Sequence, residues 1–104
     1  MRKAHVFFDG ELAGTLVEVN AKHFLFEYRE GYVGNSVSLT MPLSKKERFE
    51  FEGFPPFFDG LLPEGVQLDG LLRQNKIDRN DNFSQLLAVG SDLVGAITVK
   101  EVEE

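Results

Sequence analysis

A chain of 104 residues fits one domain and is long enough to bury one hydrophobic core. Its 42% hydrophobic fraction, with 10 Phe and no Trp, describes a folded globule and excludes a disordered tail. Seventeen acidic against 11 basic residues give a formal charge of −6, which argues against a surface built to neutralise phosphates. The nearest basic run, Lys45-Lys46-Glu47-Arg48, carries an acid inside it and reads as a solvated loop, so no direct nucleic-acid contact is expected. Without cysteine there is neither a disulfide nor a thiolate metal site, which suits a reducing compartment. No apolar run approaches the length of a membrane span. The expectation is a cytoplasmic chain with no membrane contact, forming one domain over residues 1–104.

The first half reads as antiparallel sheet. Val6-Phe7-Phe8 and Leu12 to Val17 flank Asp9-Gly10, a dipeptide suited to a type I′ hairpin because both central residues must accept positive φ. Gly14 leaves a gap in the second strand that a large neighbour such as a Phe can fill. A third strand runs from about Lys22 to Tyr28, with Phe24, Phe26 and Tyr28 on one side. The alternation of Val37, Leu39 and Met41 with Ser38 and Thr40 predicts a fourth strand, ended by Pro42. Phe49-Glu50-Phe51-Glu52 alternates as well but is short.

The centre changes character. Gly53 to Gly60 is rich in aromatics, Pro and Gly, a composition that predicts irregular backbone. Leu61 to Asn75 then reads as a helix, with Pro63 near its first turn, Glu64 at the positive end of its dipole and Val66, Leu68, Leu71 and Leu72 as its apolar stripe. Gly65 and Gly70 weaken that helix unless they serve close packing. A second helix is capped by Asn80 or Asp81, carries Phe83, Leu86 and Leu87 on one face and stops at Gly90. Asp92 to Val102 returns to strand around Gly95-Ala96-Ile97-Thr98-Val99. Strands, two helices, then one strand select an α+β fold with an antiparallel sheet.

Catalytic patterns do not emerge. His5 and His23 lie in predicted strands without metal-ligand spacing, and no catalytic residue or metal site is assigned. Neither a Walker loop nor a kinase glycine loop is present, nor a Gly-x-Ser-x-Gly elbow, so no cofactor is expected. Asp78, Asp81 and Asp92 lack the alternating oxygen pattern of a calcium loop and read as capping and loop residues. Asp59 and Glu64 edge the Phe/Pro segment. That segment has two readings: a plug on the open face of the sheet, or a preorganised apolar knob for a partner.

Three stretches carry a resemblance: Phe57-Phe58-Asp59-Gly60-Leu61-Leu62-Pro63-Glu64-Gly65, Asp81-Asn82-Phe83-Ser84-Gln85-Leu86-Leu87, and Val89-Gly90-Ser91-Asp92-Leu93-Val94-Gly95-Ala96-Ile97. Together they resemble the N-terminal subdomain of HipA-type toxin kinases over essentially the whole chain. A HipA kinase continues into a serine/threonine kinase core. A chain that stops at Glu104 instead resembles the small HipS-type antitoxins of HipBST modules. That resemblance implies no enzyme activity, and two partners in a ternary complex: a HipT-type kinase toxin and a HipB-type helix-turn-helix DNA-binding protein. It further implies that the kinase acts on an aminoacyl-tRNA synthetase. Docking beside the kinase cleft is expected through Phe57, Phe58, Asp59, Leu61, Leu62, Pro63 and Glu64. Two other roles stay open on the sequence: a module that links the kinase to the DNA-binding partner, or an excised subdomain of a full-length HipA kinase.

Overall fold

The computed structural model describes residues 1–93 and 95–102. A five-stranded antiparallel sheet forms its base, built from β1 (Arg2–Phe8), β2 (Glu11–Asn20), β3 (His23–Tyr28), β4 (Arg48–Glu52) and β5 (Ile97–Glu101), in the order β4-β3-β2-β1-β5. Between β4 and β5 come α1 (Pro56–Asp59), α2 (Gly65–Asn75) and α3 (Asn82–Val89). The fold is α+β, as the order of the sequence elements predicts.

The hairpin between β1 and β2 turns on Asp9 and Gly10 with φ of 49° and 83°, the positive pair a type I′ turn requires. Register then sorts the sheet into two faces. Ala4, Leu16, Phe26 and Phe49 lie opposite one another across four strands, and all four are buried. Gly14 stands where β3 comes closest: a Cβ there would sit 2.9 Å from the Phe26 ring and 2.4 Å from the Glu27 carbonyl oxygen. The predicted gap is therefore filled by an aromatic neighbour.

Val37 to Met41 makes no strand. The segment folds into a turn in which Met41 N–H donates to Ser38 O at 3.1 Å, with a lone bridge between the same residues. Val37 and Met41 anchor it in the core, while Leu39 at the tip is 97% exposed. The Tyr28 hydroxyl holds both anchors, donating to Met41 O at 2.5 Å and accepting from Val37 N–H at 2.9 Å. The place beside β3 is taken by β4, whose Phe49 and Phe51 pair with Phe26 and Phe24 while Arg48, Glu50 and Glu52 point the other way. Alternation alone could not decide between two segments competing for one edge.

Two helix expectations also shift. The Phe/Pro segment holds one turn of helix, α1, because its prolines sit at the front, where a helix needs no N–H donors. Helix α2 starts at Gly65 rather than Leu61, since Glu64 is extended and Gly65 has a φ of +60°, a conformation open to glycine. No atom outside the helix approaches a Cβ at Gly70, so close packing does not explain that glycine. Asp81 caps α3, accepting from Ser84 N–H at 3.1 Å. Gly90 ends α3 in right-handed geometry, and its service is steric: a Cβ there would lie 2.1 Å from Val99 O. The predicted last strand narrows to Ile97–Glu101, and Val94 lies outside the described residues.

Candidate functional site

The segment that drew attention in the sequence is built on an internal anchor. Pro55 and Phe58 are among the fully buried side chains, and Phe58 packs on Phe26 with ring centroids 5.9 Å apart. Phe57 meets Phe58 edge-on at 5.1 Å. Backbone hydrogen bonds from Asp59 N to Pro55 O and from Gly60 N to Pro56 O, both 3.0 Å, wind α1 tightly. Two more, from Leu61 N to Phe58 O and Leu62 N to Asp59 O at 3.1 Å, carry the winding past the end of the helix.

The anchored segment divides its side chains. Phe58 belongs to the core; Phe57, Leu61 and Leu62 pack against the core with part of their surface outside. Pro63 is half-buried, and Asp59 and Glu64 are exposed. What faces outward is a small apolar rim with a carboxylate at either end, held on a rigid base. Helix α2 follows directly and extends the same character: none of its residues is buried, Leu68, Leu71 and Leu72 are half-covered, and Val66 is 87% exposed. A folded helix of this size ordinarily hides an apolar stripe. Here the stripe is only partly covered.

A second cluster escaped sequence reasoning. Arg2 makes a forked contact to Glu18 (2.7 and 2.8 Å), reaches Asp81 at 2.8 Å and Ser84 Oγ at 2.7 Å, and lies over the Phe83 ring at 4.9 Å. The hydrogen bonds that Arg2 donates to Glu18 and Asp81 raise the guanidinium's pKa well above its ordinary value. Burial alone would raise the Asp81 carboxyl, but hydrogen bonds from Arg2 and Ser84 outweigh it and hold that group below the usual carboxylate range. The cluster fastens the start of α3 to β1 and β2. Partners 79 residues apart leave no local signal, beyond the Asp81 cap itself. Of the other acids weighed in the sequence, Asp78 closes a turn by accepting from Asn80 N–H at 2.8 Å.

Among the described residues no helix is long and apolar enough to cross a membrane. Residues 4–100 match the family described as the HipA N-terminal domain. The solved N-terminal domain of HipA toxin superposes with a TM-score of 0.77 at 30% identity, covering 100% of this chain and 95% of that one. An uncharacterized protein of Haemophilus influenzae is 32% identical over 104 residues, spanning 100% of this chain and 96% of its own length. Two Sinorhizobium fredii proteins with a provisional kinase designation, Y4dM and Y4mE, are 32% and 29% identical, and the chain spans only 25% and 24% of their lengths. The likeness is thus to the N-terminal domain and not to the catalytic part of HipA. With the family model matched over nearly its whole length, the chain belongs to the HipA N-terminal domain family.

Proposed function

We propose that this chain is a non-catalytic antitoxin of the cytoplasm that binds and neutralises a HipT-type serine/threonine kinase. Its relation to kinase-bearing proteins supports a kinase as the partner. The observation that carries the reading is the rim of Phe57, Leu61, Leu62 and Pro63 on its buried Pro55–Phe58 base. Preorganised apolar groups bind without much ordering cost, and a half-exposed patch of them is best served by a partner.

In this mechanism the domain docks on the kinase where the fused domain docks in a full-length HipA. The rim reaches toward the active-site cleft and hinders productive placement of nucleotide or substrate, with Asp59 and Glu64 addressing polar groups at the cleft mouth. A HipB-type DNA-binding protein completes a ternary complex. Co-expression of the kinase with a Leu61→Ala/Leu62→Ala variant tests the role of the rim. Loss of neutralisation is expected, whereas full neutralisation by a stably folded variant removes the rim from the mechanism. A kinase assay with purified kinase and this chain alone separates inhibition from an assembly role, because an assembly module leaves phosphorylation unchanged without the DNA-binding protein.

A further inference from the structure

The two edges of the sheet differ. At the β5 edge, Val99 N–H donates to Gly90 O at 2.9 Å, and Gly90 stands so close that a Cβ on it would lie 2.1 Å from Val99 O. The turn after α3 thus covers the middle of that strand. At the other edge β4 is bare. Tyr28 N–H donates to Glu47 O at 2.8 Å and Gly53 N–H to Lys22 O at 2.7 Å, which fixes the phase of the β3–β4 ladder. Bonded and open positions alternate in an antiparallel pair, so Phe49 and Phe51 bond to β3 while Arg48, Glu50 and Glu52 turn their N–H and C=O groups outward. Among the described residues, no hydrogen bond reaches those outward groups. The same three residues carry their side chains on the outer face. There Arg48 Nη2 lies 3.6 Å from Glu50 Oε1, and both side chains are more than half exposed.

We infer that β4 is an assembly edge, along which two copies of the chain join antiparallel about a twofold axis normal to the sheet. Outward backbone groups must meet outward groups, which restricts the pairing to a few registers. In one of them Phe49 faces Phe49 of the second copy across the axis, and Arg48 of each copy faces Glu50 of the other. Each Arg48–Glu50 pair then exchanges its backbone N–H···O=C bonds, and its side chains stand together on the outer face. With the 3.6 Å contact inside each strand, the two pairs close a ring of four alternating charges. Slipping the register to either side puts Arg48 against Arg48 or Glu50 against Glu50 on the axis, where like charges oppose pairing. Charge complementarity therefore selects a second copy as occupant and one register for it. A flat apolar edge pairs with any strand, whereas three charged residues among the five of β4 bar most partners and leave this match. Only one pair of short strands makes the contact, so the dimer is reversible and depends on concentration.

Sedimentation equilibrium of the chain alone tests the inference. From about 10 µM to about 1 mM at low ionic strength, the average mass should rise from 11.7 kDa toward twice that value. Hydrogen exchange over the same range should slow at the Arg48 and Glu50 amides, which are open in the single chain. Arg48→Glu sets acid against acid in both pairs, and Glu50→Arg sets base against base. Each variant alone should self-associate about tenfold more weakly or worse, while an equimolar mixture of the two should recover the dimer. Glu52→Gln should change association by no more than about twofold, because Arg48 faces Glu50 and not Glu52. A wild-type chain that stays at 11.7 kDa overturns the inference. So do a dimer that leaves the two amides exchanging as before, single variants that associate like wild type, a mixture that recovers nothing, or a Glu52→Gln loss as large as that of Arg48→Glu. Thermal melts establish that the variants are folded. If one is not, concentration-dependent exchange in the wild-type chain decides by itself.

Discussion

The Phe58 ring lies 5.9 Å from that of Phe26, tilted by 49°, and this pair holds α1 to the sheet. Because Phe58 is fully buried, Phe58→Ala removes a core side chain and is expected to cost about 3–5 kcal/mol. Leu61→Ala and Leu62→Ala, each half-exposed, should cost about 1 kcal/mol apiece. Denaturant unfolding measures the difference. Equal losses at all three positions would mean that the segment has no outward side.

Arg2 and Asp81 should be energetically coupled. Both side chains are about a third exposed, at 37% and 33%, so solvent discounts their attraction. A double-mutant cycle with Arg2→Met and Asp81→Asn should give about 0.5–1 kcal/mol. Asp81→Ala loses the helix cap as well and should cost about 1–2 kcal/mol.

The same carboxylate sets a pH dependence. Its folded pKa is depressed, so its contribution is complete above the unfolded value of about 3.9 and is lost as pH falls through the folded one. The Tm gap between wild type and Asp81→Asn should hold steady from neutral pH to about 5 and shrink below about 4. A gap that widens on acidification would reverse the assignment.

Two glycines should respond oppositely to alanine. At Gly90 the new Cβ meets the Val99 backbone at 2.1 Å, and Gly90→Ala should cost about 2–3 kcal/mol. Gly70 lies inside α2 with open space around it, so Gly70→Ala should stabilise by about 1 kcal/mol. Thermal melts decide both.

Tyr28→Phe removes the hydroxyl shared by Met41 O and Val37 N–H and leaves both without that buried partner. The cost should be about 2 kcal/mol or more. Hydrogen exchange should quicken at Val37 and Met41 before it does in β1 or β2.

Local chemistry made much of this fold legible. Asp9-Gly10 carries its turn in its own backbone preferences, Asp81 caps α3 through a residue three positions on, and Phe24, Phe26 and Tyr28 show their shared face by alternation. What stayed hidden depends on competition or distance. Val37–Met41 and Arg48–Glu52 both alternate, and only the sheet edge decides which one pairs. The outward and inward members of the Phe57–Glu64 segment are alike in composition, so only the packing of Phe58 tells them apart. Arg2 met Asp81 across most of the chain, which no short window can register.

The first strand sits between β2 and β5, and the partner on its second side begins at Ile97. At a synthesis rate of about 5–20 residues per second, Val6-Phe7-Phe8 waits about 5–20 s for that partner to be made. During the wait an apolar strand presents an open backbone edge, the kind of template on which chains aggregate. This gives the nascent chain a period of vulnerability that the finished sheet conceals, and it makes early chaperone contact with residues 2–8 a natural companion of this topology.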